Sequence, residues 1–197
     1  MIPADSSGLL SLPGLRRPPD EVIGGYVVGD KGGLKEAVTF EPLGVVASIA
    51  PWNYPYMASA SVFAGALLAG NAVLYKPSEF ASISGLNIAT LLYEAGVPKD
   101  AFAVATGGPL TGQAVASLSG LGGIFFTGSY ATGAHIATAA APHLTRLNME
   151  LGGKDCAYVR EDADVEKAAK AIAAGGFYNA GQSCCSVERV YVASKVC

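Results

Sequence analysis

The sequence predicts an α/β fold, with an open, mostly parallel sheet that carries helices on both faces and is followed by the first elements of a second α/β unit. Short apolar runs of strand length alternate with segments of helix length, as right-handed βαβ crossovers require. The stretch between Asp100 and Arg146 has no charged residue and is rich in Gly, Ala, Ser and Thr. Such a stretch is typical of elements that are buried on both sides.

The individual elements are predicted from apolar runs, turn residues and helix stop signals. Residues 1–41 are rich in proline, glycine and charge, which indicates a loop or a weakly ordered strand. Beyond the sheet, the sequence predicts a strand at 157–159, an amphipathic helix capped by Asp164, and a strand that begins with 190–192. The strands predicted for the sheet are 44–50, 71–75, 101–105, 123–126 and 146–151, and its helices are 56–69, 82–95, 111–117 and 132–141.

Composition excludes two classes of partner. The chain has 13 basic and 16 acidic residues and a formal net charge of -3, so it lacks the basic surface that binds nucleic acid. Residues 51–75 carry no charge, which raises a membrane span as an alternative. Pro51, Pro55 and Gly70 interrupt this run, and we interpret it as loop, buried helix and strand. No secretory signal is evident at the N-terminus, so the predicted location is the cytoplasm.

The cysteines are not spaced as a metal site or as a disulfide framework. Cys156, Cys184, Cys185 and Cys197 form no Cys-x-x-Cys pair, and the two histidines are not near them in sequence. Neighbouring cysteines rarely form a relaxed disulfide with each other. We therefore expect no bound metal.

Two segments that follow predicted strands are suited to nucleotide binding, because ligands of open parallel sheets bind at the carboxyl ends of the strands. The run Phe126–Gly133 is a glycine turn that enters a helix, where backbone N–H groups and the helix dipole favour a phosphate. An ordinary strand-to-helix turn is the alternative. Lys76 and Glu79 can bind the two hydroxyls of an adenosine ribose, and the acid would repel a 2′-phosphate. A solvated ion pair is the alternative here.

Two further segments carry candidates for covalent chemistry. Asn53 follows another predicted strand and can donate N–H groups to a developing oxyanion, although asparagine between prolines is also a common turn residue. Glu150 ends a strand in an apolar stretch, where desolvation is expected to raise its affinity for a proton toward that of a working base. A strand-end carboxylate in solvent is the alternative.

The third candidate is the thiol of Cys184, which lies 34 positions after Glu150. Small polar neighbours leave a nucleophile accessible. The alternative is that Cys184 has only a packing role, as a small buried hydrophobic residue. Because successive side chains alternate along an extended chain, only one of Cys184 and Cys185 is expected to face a reaction centre.

Taken in order, these segments closely resemble the aldehyde dehydrogenase superfamily. The resemblance covers most of the chain, and the interval from the glutamate to the cysteine is the one that the family uses. It implies a Rossmann-like dinucleotide-binding domain at 42–152, between an N-terminal segment at 1–41 and a partial catalytic domain at 153–197. The motifs that carry it are Glu41-Pro-Leu-Gly-Val-Val46, Pro51-Trp-Asn53, Leu68-Ala-Gly-Asn-Ala-Val73, Lys76-Pro-Ser-Glu79, Phe126-Thr-Gly-Ser129 with Gly133, Glu150-Leu-Gly-Gly-Lys154 and Gly181-Gln-Ser-Cys184.

The resemblance implies NAD(P)-dependent oxidation of a small aldehyde to a carboxylic acid through a cysteine thiohemiacetal and thioester. Cys184 is expected to be the nucleophile, and Glu150 the general base for the thiol and then for water. Asn53 and the backbone N–H of Cys184 are expected to hold the oxyanion. Lys76 and Glu79 favour NAD, with NADP possible. The residues expected to bind the cofactor are Pro51, Trp52, Asn53, Lys76, Ser78, Glu79, Gly108, Pro109, Gly128, Ser129, Gly133, Leu151 and Gly152.

The chain departs from the family pattern in its length. Family members are much longer and are homo-oligomers, whereas the oligomeric state of this chain is left open by its sequence. It resembles a cofactor domain with the opening of a catalytic domain, and we expect weak NAD binding and slow turnover from it. Two alternatives are a CoA-acylating enzyme, against which Glu150 argues, and a non-catalytic dinucleotide-binding or scaffolding domain.

Overall fold

The computed structural model describes residues 24–197, and the part of the N-terminal prediction that concerns residues 1–23 lies outside this range. Strands β1 (Tyr26–Lys31) and β2 (Leu34–Val38) form an antiparallel hairpin with an irregularity after Val27. Gly32 and Gly33 join them with φ of 62° and 84°. Two such positive angles define the hairpin turn that matches strand twist, and glycine adopts them without strain. A paired hairpin therefore stands where the sequence predicted a loop or a weakly ordered strand.

Five parallel strands form the main sheet in the order β5-β4-β3-β6-β7. The chain starts at the central strand, adds two strands on one side and then two on the other. Such a reversal creates the crevice in which open α/β sheets bind ligands. The predicted fold class is confirmed. The strands are β3 (Val45–Ile49), β4 (Ala72–Lys76), β5 (Phe102–Val104), β6 (Leu121–Gly128) and β7 (Arg146–Leu151).

Four helices cover the two faces of this sheet. Helices α1 (Met57–Leu68) and α2 (Ser82–Glu94) pack on one face, where Phe63, Tyr75 and Phe102 form an aromatic cluster. Helices α3 (Pro109–Ala116) and α4 (Tyr130–Ala140) pack on the other. The alternation of side chains along a strand separates the two cores, which is why neighbouring residues of β3 belong to different clusters. The second core consists of Ala47, Ile49, Val115, Ala116, Leu121, Ile124, Phe126, Ile136 and Ala140.

Helices α3 and α4 each begin two residues before the predicted start, at positions that a proline and a serine N-cap indicate. Helix α3 begins at Pro109, and α4 begins at Tyr130 directly after Ser129. Proline is favoured at the first helical position because its missing N–H has no helical partner there. Serine is favoured at the N-cap because its hydroxyl accepts a hydrogen bond from a free backbone N–H.

The second α/β unit consists of β8 (Asp155–Val159), α5 (Val165–Phe177) and β9 (Val187–Val192), and its two strands pair in parallel. Asp164 caps α5 as predicted, because its Oδ1 accepts a hydrogen bond of 3.0 Å from the backbone N of Lys167. Strand β9 begins at Val187, three residues before the predicted start.

The described part of the chain has neither a membrane-spanning helix nor a cluster of metal-ligating side chains. Among residues 24–197, no helix combines the length and the apolar character that crossing a bilayer requires. Over the same residues, His, Cys, Asp and Glu side chains do not gather in groups of three or more that could hold a metal ion.

The aromatic cluster leads to a prediction about stability. Phe102 is fully buried between two other rings, so Phe102→Ala is expected to lower the free energy of unfolding by about 3–5 kcal/mol. Phe80 is 82% exposed, and Phe80→Ala is expected to change it by less than about 0.5 kcal/mol. Urea unfolding followed by circular dichroism measures both, and equal midpoints for the two variants would contradict the assigned core.

Candidate active site

The carboxyl edge of the main sheet gathers the residues that were predicted to bind a cofactor. Because the five strands are parallel, the segments that follow them emerge at one edge. Pro51, Trp52 and Asn53 follow β3. The other predicted residues at this edge are Lys76, Ser78 and Glu79 after β4, Gly108 and Pro109 after β5, Gly128 and Ser129 at the end of β6, and Glu150, Leu151 and Gly152 at the end of β7.

Lys76 and Glu79 form a pair in which the two ends differ in exposure. The Nζ of Lys76 lies 3.3 Å from Oε2 of Glu79, and the exposed fractions of the two side chains are 7% and 39%. The backbone N–H of Glu79 and then the Lys76 ammonium lower the pKa of its carboxyl, although partial burial acts against them. The carboxyl is therefore ionised at neutral pH. A fully solvated ion pair, the alternative from sequence, is wrong for Lys76.

Two helix N-termini point toward the same edge. The Oγ of Ser129 accepts a hydrogen bond of 3.3 Å from the backbone N of Thr132, and it donates one of 2.9 Å to Oγ1 of that residue. Gly108 adopts an extended conformation at the N-cap of α3, with Pro109 as the first helical residue. The first N–H groups of a helix have no helical acceptor, so both termini are suited to an anion.

Two predicted cofactor residues act in the packing of α4 against the sheet. A Cβ on Gly133 would lie 3.0 Å from Cδ2 of Leu151, and a Cβ on Gly128 would lie 2.5 Å from the ring of Phe126. A side chain at Gly128 would displace the Phe126 ring, and one at Gly133 would require Leu151 to shift by a few tenths of an ångström. Leu151 is half-buried and packs against the second core, whereas Gly152 is exposed. The helix that Ser129 caps thus packs on β7, the strand that carries Glu150.

Cys184 and Cys185 lie in a tight turn. The backbone N of Ser186 donates a hydrogen bond of 3.3 Å to the carbonyl of Ser183, and the two cysteines between them are both exposed. The expectation that only one of them faces a reaction centre assumed an extended chain, whereas the chain reverses here. Which of the two thiols faces a reaction centre stays a prediction. The alternative of a buried hydrophobe is wrong for Cys184. Its carbonyl lies beside Gly153, within 3.6 Å of where a Cβ there would stand.

Hydrogen bonds join the cysteine segment to the loop after β3. The Nδ2 of Asn53 donates to the carbonyl of Gln182 over 2.8 Å. The Nδ2 of Asn179 donates to the carbonyls of Asn53, over 3.1 Å, and of Gln182, over 3.3 Å. One N–H of the Asn53 amide therefore remains for another acceptor, and both N–H groups of Asn179 are used. The structure thus joins the Asn53 loop to the segment that directly precedes Cys184.

The sequence interpretation did not identify Asn179. Its backbone has φ of 51° and ψ of 39°, a left-handed conformation that asparagine tolerates better than most residues. An asparagine followed by Gly181, directly before the cysteine segment, was the available signal, because both residue types favour such conformations.

The loop that bears Asn53 is also fixed from the core. The Oγ of Ser59 donates to the carbonyl of Pro55 over 2.5 Å and lies 2.8 Å from the hydroxyl of Tyr75. Since Ser59 has one hydroxyl proton, Tyr75 is the donor between the two side chains. Burial raises the pKa of Tyr75, so this phenol stays protonated. A buried pair of hydroxyls therefore connects β4 with the start of α1.

Glu150 is exposed, so the expected desolvation of this carboxyl is wrong. It lies on the edge strand β7, on the face opposite to Met149 and Leu151, which lie toward α4. Glu150 and Asn148 border an open groove of about 490 Å³ whose other walls include Ser61 and Gly65 of α1. Cys184 is not a lining residue of this groove. The pairing of Glu150 with the thiol stays a prediction.

The thiol of Cys184 is less acidic than an ordinary cysteine. Local desolvation of the sulfur is the main cause of its raised pKa, followed by the neighbouring thiol of Cys185, and the charge of Asp155 acts in the same direction. At neutral pH the group is therefore a thiol, whereas the thiolate is the nucleophile. A reaction at this sulfur needs a base.

The fold and the arrangement at the sheet edge define an α/β protein with a candidate dinucleotide site and a candidate thiol nucleophile, and sequence comparison gives its family. The profile described as "Aldehyde dehydrogenase family" matches residues 21–197. This chain belongs to the aldehyde dehydrogenase family, as its motifs predicted.

The chain is similar to several known proteins of the family. It is 46% identical over 157 residues to aldehyde dehydrogenase (NAD(P)+) 1 of Saccharomyces cerevisiae, which covers 79% of this chain and 31% of the relative. It is 44% identical over 154 residues to betaine aldehyde dehydrogenase of Agrobacterium fabrum, with 78% and 31% covered. The chain therefore spans about a third of the length of these relatives.

Solved structures agree with this family. The crystal structure of PnpE from Pseudomonas sp. WBC-3 superposes with a TM-score of 0.84 at 40% identity, over 89% of this chain and 36% of that one. PnpE in complex with nicotinamide adenine dinucleotide gives the same TM-score over 90% of this chain and 37% of that one.

The environment of the Cys184 sulfur leads to a prediction about pH. Alkylation of Cys184 by iodoacetamide, followed by peptide mass spectrometry, is expected to rise with pH to a midpoint above the usual cysteine range. In Cys185→Ser the neighbouring thiol is lost, so the midpoint should fall and alkylation at neutral pH should be faster, while desolvation keeps it above that range. A midpoint at or below the ordinary value in the unchanged protein would contradict this description.

Proposed function

We propose that this chain carries the cofactor-binding and nucleophile-bearing part of an NAD(P)-dependent aldehyde dehydrogenase that oxidises a small aldehyde to a carboxylic acid. The observation that carries the proposal is the hydrogen-bonded contact between the Asn53 loop and the segment before Cys184. This contact ties the Asn53 amide to Gln182, two residues before the proposed nucleophile and far from Asn53 in sequence. Family membership and the NAD(P)+ named for the yeast relative support the reaction type.

The residues at the sheet edge fit a nicotinamide dinucleotide. Lys76 is a buried ammonium and Glu79 a partly exposed, ionised carboxylate, which together suit the two hydroxyls of a ribose. The N-termini of α3 and α4 offer free N–H groups to phosphates. Exposed Trp52 and the partly buried Pro51 are placed to border the ligand. When bound, the dinucleotide supplies the two-electron oxidant for the aldehyde carbon.

The chain's own groups account for the remaining steps. Cys184 loses its proton to a base and its sulfur adds to the aldehyde carbon, which gives a thiohemiacetal. The free N–H of Asn53 and the backbone N–H of Cys184 hold the oxyanion at this stage. After oxidation, the carbon is bonded to Cys184 as a thioester. Glu150 accepts a proton from the water that releases the acid.

Two alternatives make different predictions for the thioester. In a CoA-acylating enzyme the thioester is transferred to the thiol of CoA, and a water-activating base such as Glu150 is not required. In a non-catalytic dinucleotide-binding or scaffolding domain, no thioester forms. No feature of the described residues favours either alternative over hydrolysis.

The test is to detect the covalent intermediate. Mass spectrometry of the chain after addition of an aldehyde and NAD is expected to find an acyl group on Cys184. Cys184→Ser should lose the adduct, and Cys185→Ser should keep it. Glu150→Gln should form the adduct more slowly and, once it has formed, retain it longer, because each proton transfer slows by roughly 10²–10⁴-fold when its general base is removed. An unmodified Cys184 in protein that binds NAD would support the non-catalytic alternative and contradict the proposal.

Cofactor choice is tested separately at Glu79. Glu79→Gln removes the negative charge that repels a 2′-phosphate, so the preference for NAD over NADP is expected to fall about ten-fold, by the size of a partly exposed charge interaction. Fluorescence titration with both dinucleotides measures the ratio of the dissociation constants. Glu94→Gln at the exposed end of α2 is the matched control and should leave this ratio unchanged. An unchanged ratio in Glu79→Gln would exclude this role.

A further inference from the structure

The turn that contains Cys184 also contains Cys185, a second thiol that the proposed oxidation of aldehydes does not use. Cys184 and Cys185 are adjacent, both are exposed, and they occupy the two central positions between Ser183 and Ser186. In an extended strand two successive side chains point to opposite faces. The chain reverses here, so this alternation does not turn the two exposed sulfurs to opposite faces.

A direct bond between these two sulfurs is geometrically unfavourable. The peptide bond between the cysteines is trans, and adjacent Cα atoms are then about 3.8 Å apart. Disulfides usually need about 4.4–6.8 Å between Cα atoms. A bridging atom that bonds to both sulfurs separates them more widely than an S–S bond does, and it therefore suits this pair better.

Both cysteine side chains are exposed, so a bridging atom can reach them from solvent. The Oγ of Ser183 and the Sγ of Cys185 are 3.3 Å apart, so a neutral hydroxyl borders the second sulfur. Cys156 and Cys197 are also exposed but have no cysteine next to them in sequence. The chain thus contains its own single-thiol comparison sites.

We propose that Cys184 and Cys185 together form a dithiol site that captures trivalent arsenicals. With phenylarsine oxide, each sulfur forms one bond to arsenic, the bonds from arsenic to oxygen break, and the oxygen leaves as water with the two thiol protons. Arsenic stays trivalent and neither sulfur is oxidised, so no redox partner takes part. Capture blocks the Cys184 sulfur. It depends on the two thiols alone and not on the proposed oxidation of aldehydes.

The test uses reduced chain 1–197 with one equivalent of phenylarsine oxide, followed by intact and peptide mass spectrometry. The expected product carries one phenylarsenic group that bridges Cys184 and Cys185. It should resist excess 2-mercaptoethanol and be released by 2,3-dimercaptopropanol. A ligand held by two linked bonds binds with an overall affinity roughly 10²-fold or more above that of a ligand held by one. Cys184→Ser and Cys185→Ser should therefore each release arsenic at about 10²-fold lower monothiol concentration, and Cys156→Ser should behave as the unchanged protein.

Three outcomes would overturn the proposal. One is release from the unchanged protein by 2-mercaptoethanol at the concentration that frees the Cys185→Ser variant. Another is a bridge that includes Cys156 or Cys197. The third is retention of monothiol-resistant arsenic in Cys185→Ser. Circular dichroism of both serine variants verifies their fold, and iodoacetamide labelling of the remaining cysteine verifies that it is accessible.

Discussion

The candidate site depends on the hydrogen bonds that Asn53, Asn179 and Gln182 make with one another. Asn179 donates to both of the other residues, and Asn53 donates to the carbonyl of Gln182. These three bonds fix the turn with Cys184 to the loop after β3, although more than a hundred residues separate them in sequence. Tyr54 stacks on Tyr178 beside them, with ring centroids 6.3 Å apart. This contact joins the two α/β units at the proposed site.

Buried residues of the first core hold the Asn53 loop, whereas other parts of the candidate site are exposed. The hydroxyl pair of Ser59 and Tyr75 holds the Asn53 loop against β4, and Lys76 of the same strand is buried beside Glu79 at the ribose end of the proposed cofactor site. One strand therefore positions both ends of this site. The cysteine turn and Glu150 are exposed in comparison. The buried part suits binding, and the exposed part suits access of a substrate.

The Glu79 carboxyl and the Cys184 thiol differ in their protonation state at neutral pH. Glu79 is held ionised by its own backbone N–H and by Lys76, which suits recognition by charge. The Cys184 thiol is kept protonated by desolvation and by its neighbour, so it requires a base before it can react. Glu150 is the base that we propose, and it must act from an exposed position on an edge strand. The second thiol of the turn has no part in this chemistry, and the arsenical site is inferred for that pair.

The sequence by itself determined the parallel α/β sheet, nearly all element positions, the family and the segments at the sheet edge, because apolar periodicity, caps and motifs are local signals. The tertiary structure decided what depends on distant neighbours. Pairing between β1 and β2 made a hairpin of a segment that seemed weakly ordered, and Glu150 on the edge strand β7 is exposed. Chain reversal exposed both Cys184 and Cys185, and long-range hydrogen bonds revealed Asn179. Burial and partners are set by residues far away in the chain, so local patterns do not contain them.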